Sequence, residues 1–318
     1  MTEPGAPSTP RQPLEVLAIM GPTASGKTQV GVALAKVLDG ELVNADSRQA
    51  IAELAIGVCK PTPAELQGVA CHGLSWRHLG HPFSVAEYRV LATAAVEEIS
   101  GRDRVALVVG GTGLYIRALL GGFDFGGVAP DPGRTVALGV ADQENAIADT
   151  AGRELRRLDP ERAKTVDLRN PRRVVRAAEL SQAGARAGRR PPAWAARKLG
   201  CRVSRNHLRA RIEARSERLV AEPLAREVEQ LLSLGFSSEL LARSAIGYSE
   251  VVDWVAGRCS RQDAVEQVVS RTWRYAKAQL TWLRTEPHLL WVDAEASPDD
   301  MVSQCMAVIQ SGQPSRLE

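Results

Sequence analysis

The sequence predicts an α/β fold, a parallel β-sheet covered by helices, and three features point to it. Short apolar runs alternate with helical patterns. Those runs are apolar throughout, as strands buried on both faces must be, and the first passes through a glycine-rich turn directly into a helix. LEVLAIM (14–20) is the first strand, closed by Gly21, and TQVGVALAKVL (28–38) has helical spacing and ends at Asp39-Gly40, a turn signal. ELVNADS (41–47) reads as a second strand, VAEYRVLATAAVEEI (85–99) as an amphipathic helix, and VALVV (105–109) as a third, fully buried strand. Gly110-Gly111 ends that strand, and TGLYIRALLGG (112–122) reads as a helix with Thr112 as its candidate cap.

From about residue 122 the character changes. A loop, GGFDFGGVAPDPG, leads into Arg-rich helical stretches, RELRRLDPERAKT and PRRVVRAAELSQAG, and a Pro- and Arg-rich link, GRRPPAW (188–194), closes the section. A long helix is predicted over 204–234, kinked or divided at Pro223, and another over roughly 261–284. HLLWVD (288–293) returns as a strand. The organisation expected is therefore a tail (1–13), a catalytic core (14–122 and 200–318) and an inserted helical domain (123–199).

The chain has 318 residues, enough for two units or one α/β domain carrying a large insertion. With 44% hydrophobic and 24% charged residues its bulk is not intrinsically disordered. The net charge of +3 conceals an asymmetry: residues 151–215 hold 19 Lys plus Arg against 6 Asp plus Glu. A basic run is often only a solvated helix face, yet a basic segment in an acidic body also points to a polyanionic partner. No apolar run approaches the ~20 residues needed to span a bilayer, so no membrane association is expected. The start, MTEPGAPSTPRQP, lacks the apolar core of a secretory signal, and a cytoplasmic protein is expected. Cys59, Cys71, Cys201, Cys259 and Cys305 are odd in number, widely spaced and without a C-x-x-C pair, which argues against a disulfide framework or a zinc module and for small buried hydrophobes. His72 and His207 lack metal-ligand spacing, and Trp194, Trp254, Trp273 and Trp282 read as core or interface residues.

GPTASGKT (Gly21, Pro22, Thr23, Ala24, Ser25, Gly26, Lys27, Thr28) fits G-x-x-x-x-G-K-[ST] at every fixed position, between a predicted strand and a predicted helix. Successive backbone N–H groups there form an anion nest, the two glycines supply backbone freedom, and the helix N-terminus adds positive potential. Lys27 would reach phosphate oxygens, and Thr28 would offer its hydroxyl to Mg2+. The core is thus of the P-loop NTPase-like type, although the loop does not specify which diphosphate or triphosphate it holds. Asp46 lies just beyond the second strand, where a side chain enters the crevice into which the loop opens; it is placed to accept a proton or hold a metal, or simply to cap a turn. The third strand ends in VVGGTGLY without the acidic residue that phosphate-loop ATPases and GTPases often carry, which leaves Thr112 as a hydroxyl candidate at the same crevice. On these residues alone, both an ATP-binding kinase of small molecules or nucleotides and a non-catalytic RNA-binding protein with a vestigial loop remain open.

GPTASGKT, NADSRQ, KPTPAE, FSVAEYR, GRDRVALVVGGTGLYIRALL, LDPERAK, AIGY and YAKAQLTWLR together resemble, in order, the tRNA dimethylallyltransferases, from about residue 15 to 285. The resemblance implies transfer of the dimethylallyl group from dimethylallyl diphosphate to N6 of adenine 37 in tRNA. It makes Asp46 the general base and Thr23 and Lys27 the diphosphate cradle, brings Thr112 and Arg134 toward the reacting centre, and implies a monomer. It assigns tRNA contacts to Asp46, Ser47, Arg48 and Gln49, to Arg172, Arg173 and Arg176, to Ile246, Gly247 and Tyr248, and to Thr272, Arg274, Lys277 and Gln279. The inserted helical domain would grip the anticodon stem-loop, and the basic segment is where it should fall. The chain departs from the family pattern at Ile51 (usually Tyr), Val58 (Thr), Ala70-Cys71 (Pro-His), Trp273 and Ala278 (both Arg) and Pro223 (Gly), which implies weaker phosphate contact along the last helix.

Overall fold

The computed structural model describes residues 14–128, 131, 133–134, 141–186, 188–189, 192 and 194–311. The expected N-terminal tail (1–13) lies outside them. The described residues fall into two compact units, one made of the chain up to Leu120 and from Pro192 onward, the other of Gly121–Pro191.

The first unit is built on six parallel strands: β1 (Leu14–Met20), β2 (Gly40–Asn44), β3 (Cys71–His72), β4 (Val105–Gly110), β7 (Trp194–Arg202) and β8 (Leu289–Asp293), in the order β3-β2-β4-β1-β7-β8. Side chains alternate along a strand, so a strand covered on both faces needs apolar residues at every position. β1 shows this directly. Leu17 and Ile19 pack with Val30, Val32 and Leu34 of α1 (Lys27–Val37). Val16, Ala18 and Met20 pack on the other face with Tyr88, Ala92 and Val96 of α3 (Val85–Gly101) and Ile116 of α4 (Gly113–Leu120). A short helix, α2 (Pro63–Leu66), precedes β3.

Five helices, α8 (Arg205–Leu219), α9 (Glu222–Ser233), α10 (Ser238–Ser244), α11 (Tyr248–Val255) and α12 (Arg261–Arg284), follow β7, and α13 (Pro298–Ser311) follows β8. A third core cluster joins Ile51, Leu54 and Val58 to Leu224 and Val228 of α9, Tyr248 and Val251 of α11, and Val265 and Val268 of α12. The second unit has its own core, formed by Ala151 and Leu155 of α5 (Ala141–Leu158), Ala163 of α6 (Pro160–Thr165), and Val174, Val175 and Ala178 of α7 (Pro171–Gln182), beside a two-residue antiparallel pairing of β5 (Phe123–Asp124) with β6 (Gly188–Arg189). Asp159 and Asn170 cap α6 and α7, each followed by a proline at the first helical turn.

Several expectations are corrected. The segment from Trp194 is not part of a link or insertion: it is β7, in register with all of β1, and it reads poorly as a strand because Arg197 and Lys198 interrupt its apolar pattern. The division expected near Pro223 in the 204–234 helix does occur: the chain breaks at Val220-Ala221, with Pro223 in the first turn of the second helix, where its missing N–H is harmless. The basic segment is not a property of the insertion. Residues 121–191 carry 13 Lys plus Arg against 10 Asp plus Glu, whereas residues 192–215 carry 7 against 1. The densest positive charge therefore lies on β7 and α8 of the sheet-bearing unit.

At the end of β2 opposite Asp46, Glu41 is buried within an ion network. Its carboxylate accepts from His72 at 2.7 Å, from Arg102 at 2.8 Å and from Arg104 at 3.0 Å. Burial pushes its pKa up, but the hydrogen bonds from His72, Arg104 and Arg102 outweigh it and hold the group at about 2. A depressed carboxylate stabilises the fold above its unfolded pKa and loses that stabilisation as pH falls through the folded value. Glu41→Gln should therefore cost about 3 kcal/mol at neutral pH, and the gap between variant and parent should close between about pH 4.5 and pH 2. Urea denaturation across that pH range measures both.

Candidate functional site

The phosphate loop leaves β1 at Met20 and enters α1 at Lys27. Its shape is set from below and from the side. A side chain at Gly21 would strike the Ser25 hydroxyl and press on Cys201, so any other residue there forces the packing under the loop to shift. The Ser25 amide donates to the Pro22 carbonyl at 3.2 Å, and the Thr23 amide donates to Gln279 Oε1 at 2.8 Å. Ala24 (φ 63°) and Gly26 (φ 86°) take the left-handed conformation that turns successive amides toward one side. First-turn amides of a helix lack intrahelical acceptors, so those of Lys27 and Thr28 are available to an anion.

Two cations converge on this turn. Lys27 donates to the Pro22 carbonyl at 3.3 Å, and burial lowers its pKa below the usual lysine value, opposed by Asp46 and reinforced by Arg215. Arg215, on α8, donates to the Thr23 hydroxyl at 3.2 Å and to Cys59 Sγ at 3.1 Å. Arg211, one helical turn earlier, braces the loop through the Ser25 carbonyl at 3.3 Å and reaches the Ala294 carbonyl at 3.1 Å. Holding a desolvated ammonium and a guanidinium on one anion nest is unfavourable until an anion joins them, and two linked phosphates match that demand.

Asp46 faces the same space. Its backbone amide donates to Asn44 Oδ1 at 3.0 Å, and its own Oδ1 accepts from the Arg48 amide at 2.9 Å. Asp46 is thus both a turn residue and a lining residue of the cavity. Thr112 ties the ends of β2 and β4 together: its amide donates to the Ala45 carbonyl at 3.1 Å, and its hydroxyl accepts from the Ser47 amide at 3.0 Å. Gln49 donates to the carbonyls of Val58 (3.4 Å) and Cys59 (2.9 Å), so the 55–59 segment is held against the end of β2. From the other side Glu227 accepts from the amides of Ala55, Ile56 and Gly57 and from the Tyr248 hydroxyl.

These residues enclose one cavity of about 1310 Å³, lined by Thr23, Ala24, Gly26, Lys27, Thr28, Asp46, Ser47, Arg48, Gln49 and Thr112 at its polar end. Ile56, Val58, Leu219, Ala242, Ala245 and Ile246 form an apolar wall, and Thr272 and Tyr275 of α12 complete the lining. Other expected site residues lie elsewhere. Gly21, Pro22 and Ser25 are buried beneath the loop. Gly247 and Tyr248 are buried in the third core, where the Tyr248 hydroxyl meets Glu227, so neither offers the RNA-contact surface expected of it. Gln279 is also buried, with its amide engaged by Thr23 and by the Gly111 carbonyl (3.0 Å); it braces the loop instead of facing RNA. Arg274 and Lys277 are exposed on α12.

In the other unit Arg134 pairs with Glu154 at 3.0 Å, and Arg172 and Arg173 are exposed at the start of α7. Arg176 donates to Glu179 (3.1 Å), to the Val128 carbonyl (2.6 Å) and to the Phe125 carbonyl (3.2 Å), so its guanidinium holds the loop before α5. Arg211, Arg215 and Tyr275 were not among the residues singled out in the sequence. The 211, 215, 218 spacing on a predicted helix places three arginines along one face, and that periodicity could have separated them from the bulk of the basic segment. Cys59 is likewise no core residue but a lining one.

Arg215→Ala should weaken the binding of inorganic diphosphate by about 10- to 100-fold, the scale of a charge-assisted hydrogen bond. Arg211→Ala, which loses carbonyl braces, should mainly lower the melting temperature. Calorimetric titration with diphosphate, alongside thermal melts, separates the two roles, and equal loss of binding in both variants contradicts the division.

The sequence model of the IPP transferase family matches residues 49–286. A tRNA dimethylallyltransferase of Corynebacterium jeikeium is 37% identical over 89% of this chain and 92% of its own length. A tRNA dimethylallyltransferase of Pelobacter propionicus is 36% identical over 96% of this chain and 99% of its own. The crystal structure of a tRNA isopentenylpyrophosphate transferase from Bacillus halodurans superposes with a TM-score of 0.69 at 31% identity, covering 94% of this chain and 96% of that one. With the phosphate loop, the crevice carboxylate and the last helix in the arrangement described, this chain belongs to the IPP transferase family, that of the tRNA dimethylallyltransferases.

Proposed function

We propose that the protein transfers the dimethylallyl group of dimethylallyl diphosphate to N6 of adenine 37 in tRNA and releases diphosphate. The observation that carries this reading is that a diphosphate cradle and an acceptor-side carboxylate open into the same cavity. The adenine amine is a poor nucleophile because its lone pair is delocalised into the ring, so the carbon it attacks must be made strongly electrophilic. Lys27, Arg215 and the amides at the start of α1 stabilise the leaving diphosphate as its C–O bond breaks and takes the electron pair. Asp46 accepts the N6 proton while the new C–N bond forms, and the Asn44 and Arg48 contacts keep its carboxylate in place. The apolar wall suits the hydrocarbon tail.

The Thr28 hydroxyl, with diphosphate oxygens, fits a magnesium ion that arrives with the donor, since no group of three or more His, Cys, Asp or Glu able to hold a metal occurs among the described residues. When bound, the ion supplies neutralisation of the leaving anion. The inserted unit supports a role in gripping the anticodon stem-loop through the exposed Arg172 and Arg173, with the chain acting as a monomer; its modest charge excess leaves much of the phosphate contact to the sheet-bearing unit. No helix among the described residues is long and apolar enough to cross a membrane.

Labelled dimethylallyl diphosphate, magnesium and tRNA bearing A36-A37-A38 should give labelled tRNA. Asp46→Ala should lower kcat by about 10²- to 10⁴-fold with little change in donor KM, whereas Lys27→Ala should raise donor KM and lower kcat together. No transfer by the unaltered protein overturns the reading, and ATP turnover without RNA would favour a kinase. Undiminished transfer by Asp46→Ala removes that residue from the proton path. Filter binding should show Arg173→Ala weakening tRNA affinity while donor binding is unchanged, and Arg176→Ala loosening the inserted unit itself.

A further inference from the structure

Tyr275 is the one Phe, Tyr or Trp side chain among the described residues that stays well exposed, with 40% of its surface open, and no other aromatic ring lines the cavity. Its position follows from the helix. Gln279 of α12 is fixed to Thr23 and to Gly111, the neighbour of Thr112, and Tyr275 stands one turn back on the same face, about 6 Å away. Asp46 and Arg48 share the lining with it. Although much of the ring is open, the protein around the phenol and the Asp46 carboxylate push its pKa up to about 12 against Arg48, so the ring is neutral at working pH. Its hydroxyl has no hydrogen-bond partner among the described residues, and the exposed Arg274 and Lys277 lie on other faces of α12.

A base drawn out of a nucleic-acid loop loses the stacking of its neighbours, and a protein that holds it must replace that contact. A flat, neutral, uncommitted ring beside the proton acceptor supplies such a contact, while Arg48 in the same lining suits an adjoining phosphate. We propose that the Tyr275 ring is the stacking surface for the purine entering the cavity, and that it sets the base plane so that the exocyclic amine faces Asp46. This rests on the transfer to tRNA adenine proposed above. Tyr275 is on this view a positioning residue that acts through its π-face and not through its hydroxyl.

The test compares Tyr275→Phe, Tyr275→Leu and Tyr275→Ala in the full chain, using an anticodon stem-loop RNA and, separately, the same RNA with 2-aminopurine at the target position. Leu and Ala should lower kcat/KM for RNA by about 10- to 100-fold with donor KM held within about twofold, and Phe, which keeps the ring, should recover the activity to within about threefold. Stacking should quench 2-aminopurine fluorescence on binding to the unaltered protein and to the Phe variant, and not with Leu or Ala. Leu performing as well as Phe would make Tyr275 a packing residue, and Phe failing like Ala would assign the role to the hydroxyl; either outcome, or a parallel rise in donor KM, overturns the proposal. The fluorescence arm requires no turnover. Absence of transfer by the unaltered protein therefore counts against the proposed reaction, while ring-dependent quenching still decides the stacking.

Discussion

The carboxamide of Gln279 accepts from the Thr23 amide at 2.8 Å and donates to the Gly111 carbonyl at 3.0 Å, and the shape of the cavity depends on that bridge. It joins three elements far apart in sequence: the phosphate loop after β1, the turn after β4 and the last long helix. An amide is suited to this because it presents a donor and an acceptor in a fixed plane, matching one backbone group of each kind. A buried backbone N–H and C=O without these partners would each carry a desolvation penalty of about 1–3 kcal/mol, so the contact is costly to lose. Gly111 and Gly113 allow the approach, since a side chain at either position would collide with Gln279 or with the Trp282 ring. With the helix seated in this way, Thr272 and Tyr275 necessarily reach the cavity.

The electrostatics follow from the same seating. Lys27 and Arg215 both meet the loop, and burial disfavours the charged lysine, so the site is preorganised around a missing negative charge. Asp46 moderates that repulsion without cancelling it, and its fixed turn geometry keeps it near the anion but on the acceptor side. On the opposite flank, Glu227 gathers three amides and a tyrosine hydroxyl, which gives the 55–59 segment a defined path although it has no regular secondary structure. Gly57 is required there because any side chain would enter the Tyr248 ring. Two of the positions at which this chain departs from the family pattern, Ile51 and Val58, are buried in the adjoining core, and Trp273 packs against the sheet core with Arg205 above its ring. Ile51 and Trp273 are matters of packing, Val58 also belongs to the apolar wall of the cavity, and Ala278 lies on the exposed face of α12.

Local information was enough for the elements whose apolar period is clean. β1, α1, β2, α3, β4 and α12 fall within a few residues of the expected bounds because each buries a regular stripe or a continuous run. β7 was missed for the converse reason: its middle carries Arg197 and Lys198, whose ammonium meets Glu286 at 2.6 Å, a partner 88 residues away that no local pattern reveals. Gly247, Tyr248 and Gln279 were expected at an RNA surface because their motifs recur in order with the rest. Their burial could not be read from the motif, since a fixed residue type is demanded equally by a packed core and by a ligand. Net charge misled in a similar way: a window of sequence sums charges that the fold deals out to two units.

By itself, the sequence determined the α/β class, the phosphate loop and its lysine, and the candidate carboxylate. Each of these is encoded within a few adjacent residues, by period, by glycine placement or by position at a strand end. Only the tertiary structure decided what else faces the bound anion. Arg215 and Tyr275 reach the loop and Asp46 from helices about 190 and 230 residues further along the chain. Such convergence depends on how helices pack over the end of a sheet, and packing is a property of the whole core.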